Sequence, residues 1–142
     1  MTRDPDCIFC KIVAGEVPCH KVYETDTVLA FLDILPTSRG HTLVIPKAHC
    51  ADLLCTPQDV LRDVAAALPG VAKAVVEATG AEGFNVLQSN QACAGQCVFH
   101  IHFHVVPRRA GDGIGLGFRQ TEPVRDELAE TAEAIRAAMS TE

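Results

Sequence analysis

The chain has 142 residues, 48% of them hydrophobic, so it is long and apolar enough to form one domain with its own core. Its net charge of −6 argues against broad binding of nucleic acid, which needs a basic face. The polar start, MTRDPDC, and the absence of a run of about 18 apolar residues predict a cytoplasmic protein with neither a signal peptide nor a membrane span.

The first motif is CIFC, which separates Cys7 from Cys10 by two residues. Because no export signal precedes them, the seven cysteines are interpreted as thiols or metal ligands rather than as a disulfide framework. The CxxC spacing is typical of half of a zinc site. The alternatives are a redox pair that opens a helix in a βαβ unit, and two unligated thiols. The sequence favours zinc, because a Lys-Ile-Val turn is predicted after the motif and no βαβ unit follows.

Three strands are predicted next. KVYE (21–24) and TVLAFLD (27–33) are joined by a turn, and HTLVIP (41–46) follows a loop. The alternation of the third strand places His41 on the same face as two apolar residues.

A long helix is predicted to follow. Thr56 is a candidate N-cap, Pro57 suits the first helical position, and Gly80 ends the helix. Pro69, which is followed by Gly70, predicts a kink or a split into two helices, because proline removes a backbone donor and clashes with the preceding turn. One apolar stripe at helical spacing comprises Leu61, Val64, Ala65, Leu68, Ala72, Val75 and Val76.

The last third of the chain adds two strands and a helix. A strand is predicted at 84–89, a loop of small residues at 90–97, and a second strand immediately after it. Residues 123–139 predict an amphipathic helix with an apolar face of Val124, Leu128, Ala132, Ile135 and Met139. The predicted strands are separated by one long helix and followed by another. This order predicts a single α+β domain over residues 1–142, with an antiparallel sheet and helices on one side.

The strand at residues 99–107, FHIHFHVVP, contains half of the six histidines of the chain. The period of two places His100, His102 and His104 on one face, where a half-buried strand would more usually carry Thr, Lys, Glu or Ser. Neighbouring histidines on such a strand lie about 6.6 to 6.8 Å apart, and the outer pair roughly 13 Å apart. One ion therefore cannot bind all three, and at least one histidine has another role.

Three segments together, CIFCKIVAGEVP, AFLDILPTSRGHTLVIPKAH and AGQCVFHIHFHVVPR, resemble the histidine triad (HIT) family of nucleotide hydrolases and transferases. The triad pattern is met by HIHFHVV, and the similarity extends over a core of residues 7–109. The nearest resemblance is to the bacterial zinc-containing branch of nucleoside phosphoramidase-like proteins. It implies a five-stranded antiparallel sheet with one long helix, and a homodimer. The net charge and the lack of a long apolar run already predict that neither nucleic acid nor a membrane is a partner.

The resemblance also implies roles for the histidines. His102 is expected to attack the α-phosphate of a purine nucleotide and form a nucleotidyl-histidine intermediate, which water then hydrolyses. His104 is expected to contact the phosphate and the leaving group, and His41 to support the nucleophile. The implied activity is that of a purine nucleoside phosphoramidase. The alternatives are a dinucleoside polyphosphate hydrolase, a nucleotidyltransferase, and a nucleotide-binding protein with slow turnover.

Further residues are implied for binding. The nucleoside pocket is assigned Asp33 and Ile34, although Asp33 also suits a strand-end turn acceptor. With no tryptophan in the chain, base stacking is expected from Ile34 or Phe9. Cys97 is a weaker donor than the serine of several relatives. The implied phosphate loop comprises Asn90, Gly95, Gln96, Cys97 and Val98, where the glycine admits an anion and the glutamine and backbone amides donate to it.

The resemblance completes the zinc site with His49 and His100 beside Cys7 and Cys10. Four protein ligands leave no open coordination position, so the expected zinc ion, one per chain, is structural.

Overall fold

The computed structural model describes residues 1–124 and 126–140 and contains a five-stranded sheet. The strands are β1 (Lys21–Glu24), β2 (Val28–Leu32), β3 (Thr42–Pro46), β4 (Gly83–Leu87) and β5 (Phe103–Arg108). Their order in the sheet is β1-β2-β3-β5-β4, and each neighbouring pair is antiparallel. The helices are α1 (Ile8–Val13), α2 (Gln58–Thr79) and α3 (Glu127–Met139), with a 3₁₀ turn at Ala92–Ala94. The predicted α+β class and antiparallel sheet are confirmed.

The core has two parts, because successive side chains of β2 and β3 point to opposite faces of the sheet. On one face, α2 packs on the sheet in a cluster of Val28, Ala30, Val44, Val64, Val71, Ala72, Val75 and Val105. On the other face lies a cluster of Cys7, Phe9, Cys10, Leu29, Phe31, Leu43 and Ile45. The prediction of helices on one side was therefore wrong for α1. A turn was predicted in place of that helix, since six residues are too few to show a helical period.

Helix α2 differs from its prediction at the start and in the middle. Pro57 precedes the helix, and the Thr56 hydroxyl donates to the Asp52 carbonyl (2.6 Å) instead of capping it. The helix continues through Pro69 without a split. Pro69 has no backbone N–H to donate to the Ala65 carbonyl. Ala65 is exposed, so water can hydrate that carbonyl. Gly80 ends the helix in the left-handed conformation, as predicted (φ 67°).

The histidine segment is only partly a strand. Pairing with β3 begins at Phe103, so His104 lies in β5, whereas His100 and His102 lie in a bend before it. The Ile101 amide donates to the Cys50 carbonyl (2.7 Å), which belongs to no strand. The prediction of one strand over residues 99–107 was wrong at its start, because alternation of side chains does not require a ladder partner.

The C-terminal helix begins at Glu127, later than predicted, and residue 125 of its predicted range lies outside the described residues. The side chains of its apolar face are exposed or nearly so. Within the described ranges, every helix is too short or too polar to cross a membrane.

Gly40 and Gly70 offer a matched test of this packing. A Cβ at Gly40, whose φ is +96°, would lie 2.5 Å from Thr79 Cγ2, whereas a Cβ at Gly70 inside α2 would meet no atom within 4 Å. We expect Gly40→Ala to lower the free energy of unfolding by about 2 kcal/mol or more. Gly70→Ala should raise it by up to about 1 kcal/mol. Chemical denaturation measures both, and equal effects of the same sign would contradict the prediction.

Candidate functional site

Two histidines meet at the centre of the sheet: His104 lies in β5, and His41 directly precedes β3. His41 Nε2 lies 2.9 Å from His104 Nδ1, because Leu43 and His104 are paired across the two strands. The Asp33 carboxylate, at the end of β2, lies 3.7 Å from His41 Nε2, which is too long for a hydrogen bond. The sheet therefore brings together three residues that were predicted for the site.

Hydrogen bonds fix the proton positions of this pair. The Thr37 backbone amide donates to His41 Nδ1 (3.0 Å), so neutral His41 carries its proton on Nε2. That proton is donated to His104 Nδ1. Neutral His104 must then carry its own proton on Nε2, where it can be donated to a ligand.

His102 is oriented by the backbone of the bend. Its Nδ1–H donates to the His100 carbonyl (2.7 Å), so the lone pair lies on Nε2. Among the described residues, no donor lies within hydrogen-bond distance of this Nε2. The Phe9 ring packs edge-on against the imidazole, with centroids 5.2 Å apart and planes at 88°. This arrangement leaves a buried, oriented imidazole with an available nucleophilic nitrogen.

Burial keeps these imidazoles neutral. Burial lowers the pKa of His104 to about 4, and the neighbouring His102 and His41 add to the effect. Burial also lowers the pKa of His102, and that of His41 despite the opposing charge of Asp33. Near pH 7, therefore, His102 can act as a nucleophile and His104 as a neutral hydrogen-bond donor.

A second cluster contains the four residues predicted as metal ligands, Cys7, Cys10, His49 and His100. One ligand atom from each lies within 4.8 Å of all the others. His100 Nδ1 lies 3.4 Å from Cys7 Sγ and 3.3 Å from His49 Nδ1, and Cys10 Sγ lies 3.4 Å from the same His49 atom. Helix α1 makes this possible, because Cys7 caps its start and Cys10 lies one turn later.

The donor chemistry of this cluster fits a metal ion. His100 Nε2–H donates to the Pro46 carbonyl (2.8 Å), so the lone pair on Nδ1 points toward the sulfurs. Burial lowers the pKa of His100 to about 4, which keeps it neutral. The backbone amides of Cys10 and Asp4 each donate to a cysteine sulfur at 3.4 Å, as suits thiolates. Two sulfurs and two imidazole nitrogens are ligands that zinc prefers.

Asp33, His41 and His104 also lie close enough together to hold an ion. Their protonation argues against it. His41 Nδ1 accepts the Thr37 amide, so its Nε2 carries a proton and has no lone pair to give to a metal. Of these two clusters, only the one containing Cys7 has all its ligand atoms free to bind.

The predicted nucleotide residues occupy two loops. Ile34 is 82% exposed and is available to contact a base. Asp33 Oδ1 accepts the Leu35 amide (2.9 Å), which matches the alternative prediction of a turn acceptor, while Oδ2 faces His41. Phe9 is only 6% exposed and packs against Phe31 and two histidines, so its predicted use in base stacking is not supported.

The predicted phosphate loop is held mainly by its own side chains. Gly95 adopts φ +95°, which explains the glycine, and Cys97 is exposed. The Gln96 side-chain amide donates to the Ala51 and Val98 carbonyls (2.7 and 3.1 Å) and is 3% exposed. Its N–H groups are therefore already used within the protein, so this arrangement does not support the predicted donation from this side chain to phosphate. The Asn90 side-chain oxygen is similarly occupied, by the Leu53 amide (2.8 Å).

Sequence reasoning missed Asp52 and Gln91, and it gave Phe9 a different role. Asp52 is buried and accepts a hydrogen bond from Gln91 (2.7 Å), and neither residue belongs to a recognisable motif. Phe9 was noticed only for stacking. Its position inside CIFC was a usable signal, because an aromatic residue between two candidate metal ligands lies close to the site that they would form.

Comparison with known proteins agrees with this geometry. The HIT domain family matches residues 14–111, so the chain belongs to the HIT family. The chain is 45% identical over 130 residues to a Schizosaccharomyces pombe protein named adenosine 5'-monophosphoramidase hnt1, covering 91% of this chain and 95% of that relative.

Solved structures show the same fold. The crystal structure of SMU.412c from Streptococcus mutans has a TM-score of 0.91 and 46% identity, covering 96% of this chain and 87% of that one. A zinc-bound histidine triad family protein from Mycobacterium smegmatis has a TM-score of 0.74 and 41% identity, covering 96% of both chains.

Proposed function

We propose that this protein is a nucleotide hydrolase that acts at the α-phosphate through a nucleotidyl-histidine intermediate, as a purine nucleoside phosphoramidase. The observation that carries the proposal is the His102 tautomer, which leaves the Nε2 lone pair of a neutral, buried imidazole free. The name of the Schizosaccharomyces pombe relative, an adenosine 5'-monophosphoramidase that matches almost end to end, supports the substrate class.

The reaction proceeds in two displacements. First, the His102 Nε2 lone pair forms a bond to the α-phosphorus while the phosphorus–nitrogen bond of the substrate breaks, and the amine leaves with a proton from solvent. Then water attacks the same phosphorus and releases a proton to solvent, the bond to Nε2 breaks, and nucleoside monophosphate leaves with the imidazole restored. Covalent catalysis of this kind replaces one difficult step by two easier ones.

His104 and His41 assist this chemistry without changing charge. The His104 Nε2–H is available to a phosphoryl oxygen or to the leaving nitrogen, where a fixed donor stabilises developing charge. His41 acts through His104 by donating to its Nδ1, which keeps that proton on the outer nitrogen.

The two loops would bind the nucleotide. Asp33 offers a carboxylate to the ribose hydroxyls, and Ile34 offers an exposed apolar surface to the purine. The backbone amides of Cys97 and Val98 would donate to the phosphate, while Asn90 and Gln96 shape the loop from inside.

We also propose one structural zinc ion per chain, held by Cys7, Cys10, His49 and His100. When bound, it would join α1 and the N-terminal segment to the bend that carries His102. No disulfide joins any of the seven cysteines, which supports a reducing compartment and hence the cytoplasm.

A homodimer is the third part of the proposal. Strand β4 is an edge of the sheet, and its Phe84 and Val86 are 46% and 42% exposed. Helix α3 presents Leu128, Ile135 and Met139 to solvent, although a helix of 13 residues is marginal in water without tertiary packing. A second copy of the chain would cover such surfaces.

The nucleophile is tested by His102→Ala, which should lower kcat on adenosine 5'-phosphoramidate by at least ~10³-fold. His104→Ala should cost less, and His20→Ala, which changes an exposed histidine outside the site, should cost nothing. Quenched-flow trapping should capture radiolabelled nucleotide on the wild type and not on the His102 variant. Near-normal turnover and labelling of that variant would contradict the assignment.

The zinc site is tested by metal analysis of protein purified without chelator. One zinc per chain is expected, and Cys7→Ser/Cys10→Ser should abolish it, whereas Cys19→Ser, outside the cluster, should not. Chelation should lower the melting temperature, because metal binding contributes to folding. A wild type without zinc, or a full load that survives the double substitution, would contradict the site.

The homodimer is tested by light scattering at micromolar concentration. The expected mass is twice the 15.2 kDa of one chain. Phe84→Glu should shift the equilibrium toward monomer, because it places a charge on the apolar edge of β4. A wild-type mass of a single chain would argue against the dimer.

A further inference from the structure

The loop before the histidine bend contains a strained residue. Gln91 adopts φ 74° and ψ 155°, a backbone region that essentially only glycine occupies. Within residues 1–124 and 126–140, the only other non-glycine residue with positive φ is Asp126, whose ψ of −7° is in the left-handed region that Asp tolerates. Such strain persists only where the surroundings over-determine the conformation.

One set of hydrogen bonds closes the loop on itself. The Gln91 amide donates to Gln96 Oε1 (2.8 Å), and the Gln91 carbonyl accepts the amides of Ala94 and Gln96 (both 3.1 Å). The buried Gln96 side chain then donates to the Ala51 and Val98 carbonyls. The backbone of Gln91 is therefore fixed from both sides.

A second contact attaches the loop to residues 51–55. Gln91 Nε2 donates to Asp52 Oδ2 (2.7 Å). Asp52 is only 8% exposed, and its other oxygen accepts the amides of Leu54 and Cys55 (3.0 and 3.3 Å). Because both carboxylate oxygens are committed, Asp52 is a rigid acceptor for the Gln91 side chain.

We propose that Asp52 and Gln91 are a positioning pair. The pair holds the 90–97 loop in its strained form, so that the backbone amides of Cys97 and Val98 meet the α-phosphate. The inference rests on the proposed function. When the pair is broken, only the bonds to Gln96 and Ala94 still oppose the strain. Gln91 then relaxes toward an ordinary backbone conformation, and the amides of Cys97 and Val98 move away from the phosphate. The histidines and the sheet keep their own contacts, so the loss is one of catalysis rather than of folding.

The pair is tested by reversing its polarity. Gln91→Glu alone opposes two carboxylates, whereas Gln91→Glu combined with Asp52→Asn restores one amide and one carboxylate with their places exchanged. We expect Gln91→Glu alone to lower kcat by about 10- to 100-fold, and the double variant to lower it by less than about 3-fold. KM should change less than kcat, because the nucleoside contacts belong to the loop at Asp33 and Ile34. Gln120→Glu adds the same charge at an exposed glutamine and is the control.

The strain is tested separately from the pair. Gln91→Ala and Gln91→Gly both remove the side-chain bond, but only glycine relieves the backbone. We expect Gln91→Gly to melt at a higher temperature than Gln91→Ala, even though glycine loses more freedom on folding. Equal melting temperatures would overturn the claim of strain.

The outcomes separate this inference from the proposed function. Three results together support the positioning pair: the wild type turns over the substrate, Gln91→Glu lowers kcat, and adding Asp52→Asn restores kcat at unchanged zinc content. A Gln91→Glu variant that melts lower but keeps its kcat, or that loses the same factor with and without Asp52→Asn, overturns the pair alone. A wild type that neither turns over phosphoramidate nor binds AMP overturns the proposed function and this inference with it.

Discussion

The site depends on one constraint: a buried imidazole is stable when it is uncharged and its single N–H has an acceptor. His41, His100 and His102 are all buried, and each satisfies this requirement differently. His100 donates through Nε2 to Pro46, His102 through Nδ1 to the His100 carbonyl, and His41 through Nε2 to His104. The nitrogen left over in each ring then determines what that histidine can do.

The bend before β5 places the two proposed functions, metal binding and nucleophilic attack, next to each other. His100 and His102 are two residues apart, and the carbonyl of the first accepts the proton of the second. Phe9 packs edge-on against both rings. It lies in α1, which Cys7 caps and which contains Cys10, the two cysteines of the candidate metal cluster. Any rearrangement of α1 would therefore alter the packing of the His102 imidazole, which connects the N-terminal segment to the chemistry.

Much of this arrangement could be predicted from the sequence, because the signals were periodic or chemically specific. Strands β1 to β4 and the long helix followed from such patterns, whereas the grouping of His49 and His100 with Cys7 and Cys10 followed from the resemblance to the HIT family. The start of β5 did not, since alternation reports the direction of side chains and not whether the backbone has a ladder partner. Helix α1 was missed because six residues are too short for a period. Of the two alternatives predicted at Pro69, the split was wrong because an exposed turn tolerates the missing backbone donor, and the kink stays a prediction.

The details of the phosphate loop were beyond sequence reasoning for a different reason. The Gln96 side chain carries N–H groups of the kind that donate to phosphate, but its amide donates instead to the Ala51 carbonyl. Gln91 has no sequence feature that indicates a glycine-like backbone. Both facts depend on how residues 51–55 meet residues 90–97, which no local pattern encodes.

The atoms that set the histidine tautomers are mostly main-chain atoms: the Pro46 carbonyl, the His100 carbonyl and the Thr37 amide. A substitution of a side chain cannot delete a carbonyl, and it deletes an amide hydrogen only when proline is introduced. Point mutations around the site can therefore alter its shape and polarity while the proton arrangement remains intact. This gives the surrounding sequence wide freedom to drift, and with it a route to new leaving groups while the proposed nucleophile stays unchanged.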